Sequence, residues 1–287
     1  MGDASGTEIY CLARDEAESR RLNGQHDFIV KAVKGLINSA IPLDGVSTVA
    51  DVGTGTGIWL LEARKLLNEK FPGAKSNGYF HGFDISDAQF APSHPENVEF
   101  SVQDVLKPFP SEHHNRYDLI NVRMLVAALP EAEFRKAVQN LTTILKPGGY
   151  IQWVELDTSG LVDAPESKDT RTNFLVKSWL DYIDTNNLLL CPANIIEDAY
   201  RKNGLQDISN TTYTLENREE ELKAQAQIWE THALSSIIPL MLQRQGFSAE
   251  AAQEKVDEGV RGLQEWFGEG KMVRFGFGNV VGRKGEA

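Results

Sequence analysis

Apolar residues recur along this chain with two different periods, and the alternation between them predicts a regular succession of helices and strands. A charged stretch of helical character, Arg14 to His26, passes into Phe28 to Ile37, where apolar residues return at helical spacing. Ile41-Pro42-Leu43-Asp44-Gly45 breaks that helical segment, and a short apolar run, Thr48 to Val52, reads as the first strand. Ile58 to Lys70 then reads as a helix and Tyr79 to Asp84 as a second buried strand. Val98 to Val105 alternates as a third strand, and Tyr117 to Met124 is the fourth. Pro130 to Leu145 is a helix closed by Lys146-Pro147-Gly148-Gly149, and Tyr150 to Leu156 is a fifth strand. Further on, Lys168 to Asn187 and Pro192 to Asn203 read as helices and Leu205 to Leu215 as a strand. Glu219 to Gln245 and Ser248 to Phe267 read as two helices joined at Gly246, and Met272 to Arg283 as the closing strand.

This succession is that of an α/β protein with a mostly parallel sheet. Without internal repeats or low-complexity segments, it reads as an N-terminal helical cap over residues 1–40 and one domain over 41–287. Helical elaborations fall around 160–203 and 219–267. Ligands of such sheets bind beyond the carboxyl ends of the strands. There the first strand runs into a loop with glycine at every second position, Gly53, Gly55 and Gly57, where backbone can approach a ligand closely. Ile58 stands where a dinucleotide fingerprint needs its third glycine, and Ile58-Trp59 follows where a phosphate loop needs lysine and a hydroxyl. Asp51, two residues before Gly53, suits a cationic ligand better than a pyrophosphate. Asp84 ends the second strand 27 residues beyond Gly57, a spacing that places a carboxylate to accept from both hydroxyls of a ribose.

Composition narrows the class of partner. Of the 287 residues 41% are hydrophobic, enough for a sizeable core, and 29 basic residues against 41 acidic ones leave a charge of −12, which argues against nucleic acid. Cys11 and Cys191 are far apart and lack ligand spacing, so neither a disulfide framework nor a zinc site is expected, and no acid cluster has metal spacing. No run of eighteen apolar residues and no signal-like N-terminus is present, so the expectation is a soluble, cytoplasmic protein with no membrane partner.

The stretch Val49 to Gly57 resembles the first motif of class I S-adenosylmethionine-dependent methyltransferases, and the strand-end acids and the Lys146 to Gly149 turn follow in that family's order. The resemblance implies a Rossmann-like sheet of seven strands with the last antiparallel, and S-adenosyl-L-methionine as cofactor. It implies cofactor contacts from Asp51, Gly53, Thr54, Gly55 and Gly57, from Asp84 and Ile85, and from Gln103, Asp104 and Val105. Arg21-Leu22-Asn23-Gly24-Gln25-His26 is similar to a stretch in the fungal secondary-metabolism branch that includes the regulator LaeA. There the N-terminal helix closes over the cofactor, which places Gln25 or His26 near its methionine moiety, and an arginine after the fourth strand, here Arg123, is shared.

The function so implied is methyl transfer to oxygen or nitrogen of a small acceptor, aromatic or alkaloid-like. The rival is a cofactor-binding regulatory subunit without turnover. In-line displacement from a sulfonium demands positioning and exclusion of water before it demands a base. His26, Glu155, Asp157 and His232 are located where a base would serve, but each has an equally ordinary structural use and none is singled out. Trp179, Tyr182, Trp229, Trp266 and Phe267 either floor an acceptor pocket or belong to the core. The whole reading requires Asp51, Asp84 and Asp104 to converge on one crevice.

Overall fold

The computed structural model describes residues 16–72, 78–215 and 218–286, so Cys11 and the first residues of the charged N-terminal stretch lie outside the described residues. Val49, Ala50 and Val52 are almost wholly buried, as expected for a central strand covered by helices on both faces. Their strand, β1 (Thr48–Val52), pairs in parallel with β2 (Tyr79–Asp84) on one side and with β4 (Tyr117–Arg123) on the other. Beyond these lie β3 (Val98–Val102) and β5 (Leu145–Asp157), also parallel. The closing strand β7 (Gly276–Lys284) inserts antiparallel between β5 and β6 (Leu205–Thr214), giving seven strands in the order β3-β2-β1-β4-β5-β7-β6. The order reverses at β1 and β4, and the crevice of a doubly wound sheet opens at that point.

Helices α2 (Ile58–Lys70) and α3 (Glu131–Ile144) follow β1 and β4, and α6 (Ala193–Lys202) precedes β6. One core gathers around Trp59, Leu60 and Phe80, and a second around Phe134, Trp153 and Tyr200. A third lies beyond the strand ends, where α1 (Glu16–Ala32), α5 (Asn173–Thr185), α7 (Glu220–Arg244) and α8 (Ala249–Gly268) pack over the carboxyl edge of the sheet. Trp179, Tyr182 and Trp229 belong to that third core, and Trp229 lies within 5.5 Å of the ring of Phe28 on α1.

Several expected elements differ. The first helix ends at Ala32 rather than Ile37, with Lys34 just beyond it at a left-handed φ of 64°, and the fifth strand starts at Leu145 rather than Tyr150, so the expected turn Lys146–Gly149 belongs to the strand. The helix expected over 168–187 is split into α4 (Pro165–Lys168) and α5, because the Asp169 carboxylate accepts from the backbone N–H of Arg171 at 2.9 Å and so competes with helix continuation. The closing strand begins at Gly276 rather than Met272, since its two neighbours, β5 and β6, end opposite that residue at Asp157 and Thr214. The third strand stops at Val102 rather than Val105; from there Asp104 turns the chain by accepting from the N–H of Leu106 at 2.8 Å.

Candidate functional site

The loop after β1 is left-handed at each glycine, with φ of 70°, 54° and 77° at Gly53, Gly55 and Gly57. Those values would strain any residue with a Cβ. The N–H groups of Gly53 and Thr54 donate to the carbonyl of Phe83 on β2, at 2.8 and 3.0 Å, and the N–H of Gly55 donates to the Asp84 carboxylate at 2.8 Å. The loop is thereby pinned to the end of β2. Space at Gly57 is filled by the ring of Phe100 on β3, which a Cβ there would meet at 2.5 Å.

A cavity of about 900 Å³ opens above this loop, at the upper end of the roughly 300–1,000 Å³ usual for small-molecule sites. Gly53, Thr54, Gly55, Asp84 and Ile85 line it, with Gln103, Asp104 and Val105 from the end of β3. Gln25 and Arg123 complete the set of expected residues on the wall. Asp84 and Asp104 therefore face one crevice. Glu133, in the first turn of α3, joins them there, and its carboxyl is pushed up by burial and by the charge of Asp104.

Asp51, Gly57 and His26 stand behind the wall. The Asp51 carboxylate accepts from Thr54 Oγ1 and from Asn121 Nδ2, both at 2.7 Å, and Gln152 Nε2 donates to Asn121 Oδ1 at 2.8 Å. Asp51, Asn121 and Gln152 are register partners across β1, β4 and β5, so a buried polar row crosses the sheet just under its edge. Gln152 accepts in turn from the N–H of Asn38, which ties the N-terminal cap to the same row. Burial pushes the Asp51 carboxyl upward, against the pull of Arg123 and its two donors. Its expected direct grip on the ligand is replaced by a grip on the loop.

His26 is likewise buried. An arginine donates only, so the 3.1 Å contact from Arg123 Nη2 makes Nδ1 of His26 the acceptor and leaves Nε2–H to donate to Glu62 at 2.9 Å. Burial and Arg123 hold this imidazole below its ordinary pKa. His26, Asp27 and Glu62 form the one grouping of potential metal ligands among the described residues, and both nitrogens of His26 are already engaged within the protein.

A second Arg123 guanidinium nitrogen, Nη1, is buried with no hydrogen-bond partner among the described residues. An unpaired buried donor of this kind is costly unless a ligand satisfies it. It suits the carboxylate of an amino-acid group, and Asp84 suits ribose hydroxyls. Together with the glycine loop, these residues fit S-adenosyl-L-methionine.

The N-terminal motif forms a lid. Asn23 Oδ1 accepts from Thr56 Oγ1 on the glycine loop at 2.7 Å, and Gln25 Oε1 accepts from Arg21 at 2.8 Å and from the Trp229 indole on α7 at 3.3 Å. Arg21 is also chelated by Glu18 at 2.6 and 2.7 Å. On the opposite wall Met124 adopts φ 58°, a strained value for a non-glycine residue. This turns the N–H groups of Leu125 and Val126 onto the Glu155 carboxylate at 2.8 and 3.0 Å, while the Trp153 indole donates to it at 2.6 Å. Burial pushes Glu155 up to about 7. With three donors committed to it and no place on the wall, Glu155 acts as the anchor of the loop after β4. Asp157 caps Ser159 and His232 is absent from the wall, so none of the four base candidates faces the cavity.

Beyond Arg123 the cavity becomes apolar, bounded by Leu161, Val176, Trp179, Trp229 and Phe275. Glu230 of α7 is set into this wall and was not expected from sequence. The signal was present: Ala226, Glu230, Leu234 and Ile238 share one helical stripe, and an acid interrupts it.

Comparison with known proteins agrees with this geometry. A profile described as "Methyltransferase domain" matches residues 25–209. The methyltransferase grgD of a Penicillium species is 32% identical over 88% of this chain and 89% of its own. The N-methyltransferase gliN of Aspergillus fumigatus is 31% identical over 69% of this chain and 68% of its own. Phosphoethanolamine N-methyltransferase 2 of Haemonchus contortus, solved with S-adenosyl-L-methionine, superposes with a TM-score of 0.53 at 16% identity. That match covers 92% of this chain and 53% of that one, a likeness of fold. The glycine loop, the strand-end acids and these relatives together show that the chain belongs to the class I S-adenosylmethionine-dependent methyltransferases, in their fungal secondary-metabolism branch.

Proposed function

We propose that this protein transfers the methyl group of S-adenosyl-L-methionine to nitrogen or oxygen of a small metabolite, aromatic or alkaloid-like. The observation that carries the reading is the continuity of one cavity from the glycine loop into an aromatic-walled chamber roofed by α1 and α7. The cofactor, when bound, supplies an electrophilic methyl on a cationic sulfur. The chain's own part is to orient and to exclude water. Gly53 to Gly55 and Asp84 would hold the ribose side, Asp104 and Val105 the base, and Arg123 the carboxylate. The row Asp51-Asn121-Gln152 keeps the loop in place beneath them. Indole rings of Trp179 and Trp229 offer flat apolar surface to a planar acceptor.

That gliN is named an N-methyltransferase supports nitrogen among the acceptor atoms. A regulatory subunit has no need of an open chamber beyond the cofactor, so the cavity favours turnover over that rival. The test is a calorimetric titration with S-adenosyl-L-methionine, then transfer of labelled methyl to a panel of aromatic amines and phenols. Binding with label in a small-molecule product is the expected result. Absence of binding heat removes the cofactor site, and binding with no product from any panel extended to fungal extracts favours the regulatory rival.

A further inference from the structure

Every ionisable residue on the cofactor side of the cavity has a structural partner or a place in the cofactor site; one on the other side has neither. Of the lining residues between 156 and 275, Glu230 is the only ionisable one, and the rest of that wall is apolar apart from Thr158. The Thr158 hydroxyl is already committed, accepting from the Trp179 indole at 3.2 Å and donating to the Leu190 carbonyl at 3.4 Å. Glu230 is 6% exposed, and its Oε2 is buried with no hydrogen-bond partner among the described residues. Behind it lies a second buried acid, Glu166, whose carboxylate accepts from the N–H of Arg274 at 2.7 Å. The two cations on the wall, Arg21 and Arg123, come from α1 and β4. Arg21 is chelated by Glu18, and Arg123 is bonded to His26.

An unpartnered carboxyl in an apolar wall destabilises the fold, and such a cost is kept where a ligand repays it. The chamber wall holds one acid and, among the described residues, no cation, so it disfavours a carboxylate acceptor and favours one that brings N–H donors or positive charge. We propose that Glu230 is the acceptor-binding carboxyl and that the acceptor atom it selects is an amine nitrogen. This deepens, and rests on, the methyltransferase reading above.

Burial and the charge of Glu166 raise the affinity of Glu230 for a proton well above that of an ordinary carboxyl, which favours its neutral form before an acceptor docks. As an amine docks, Glu230 loses this proton to solvent and accepts a hydrogen bond from the amine N–H, leaving the nitrogen lone pair free. With the cofactor bound, the N–C bond would form as its sulfonium C–S bond breaks, the bonding pair leaving with sulfur. The positive charge arriving on nitrogen is discharged by transfer of the N–H proton to Glu230, which restores the neutral acid. One proton is released overall.

The test uses two flat probes of nearly equal shape, tryptamine and its alcohol analogue tryptophol, titrated into the full chain saturated with S-adenosylhomocysteine. Wild type is expected to bind the amine at least tenfold more tightly than the alcohol, and Glu230→Gln to lose that preference while binding S-adenosylhomocysteine as before. Glu230→Leu, without ligands, is expected to melt at a higher temperature than wild type, because it removes an unsatisfied buried carboxyl. Equal binding of the two probes by wild type, including no binding of either, overturns the proposal, as does a preference retained in Glu230→Gln. A lowered melting temperature in Glu230→Leu overturns it too, since the carboxyl would then be structural. Failure of wild type to bind S-adenosylhomocysteine defeats the methyltransferase reading itself, whereas binding of it without amine preference defeats only the role of Glu230.

Discussion

Substituting Gly57 by alanine separates two physical reasons for a glycine in one experiment. The first is conformational: φ is 77°, where a Cβ costs roughly 1–2 kcal/mol. The second is steric, because the new Cβ would meet the Phe100 ring at 2.5 and 2.7 Å. Overpacking of that kind costs typically about 1–3 kcal/mol. Together they predict a loss of about 2–5 kcal/mol. For a chain of this size that is a fall in melting temperature on the order of 10 °C. Gly82 abuts the same ring, at 2.5 and 2.6 Å, without a left-handed φ, so Gly82→Ala reports sterics alone, with a further contact to Thr54 at 2.9 Å. Urea denaturation of G57A, F100A and the double variant G57A/F100A closes a cycle. With the ring gone only the conformational part remains, so the two changes should couple by about 1–3 kcal/mol. A coupling indistinguishable from zero would refute the claim that the Phe100 ring fills the space at Gly57. A G57A variant within about 0.5 kcal/mol of wild type would refute both parts.

Other expectations follow from the same geometry. Asp84→Ala removes the acceptor of the Gly55 N–H and the proposed ribose contact, so calorimetry should record cofactor affinity falling by about 10- to 100-fold, a charged hydrogen bond or two; unchanged affinity would count against the crevice. His81, stacked on Phe83 at 4.1 Å, is pushed down to about 3 by burial, with His113 and Arg116 adding to the effect. Its unfolded value is 6.5, so the unfolded chain binds the extra proton between those limits. Its contribution to stability is therefore complete above about pH 6.5 and is lost as pH falls towards 3, by at most about 1.4 kcal/mol per pH unit. His81→Gln should flatten the urea-measured slope over that window, and an unaltered slope would show that other groups carry it. Trp229→Phe removes the indole donor to Gln25, so amide exchange in α1 should quicken relative to α2; equal rates would mean the lid is held by packing alone.

Much of this architecture is legible in local pattern. Buried parallel strands are near-continuous apolar runs, and helices that cover a sheet carry a one-sided stripe, so α2 and β2 fall where their spacing puts them. Glycine at 53, 55 and 57 with acids at 84 and 104 is also a local signal, because each strand end of such a sheet faces the same crevice. Boundaries set by partners were less legible. The start of β7 depends on where β5 and β6 stop, a fact about residues more than sixty positions away.

Side-chain roles divide on the same line. Composition and order of elements determine that a cationic nucleoside-type ligand can lie across β1, β2 and β3, and they bring Asp84 and Asp104 to it. Whether Asp51 faces the ligand or the row of Asn121 and Gln152, and whether Glu155 is a base or an anchor, was decided only by tertiary packing. A carboxylate has the same appearance in sequence whether three donors surround it, as at Glu155, or its buried oxygen finds none among the described residues, as at Oε2 of Glu230. The difference is made by strands and helices that meet from distant parts of the chain, because hydrogen bonding and desolvation depend on neighbours in space.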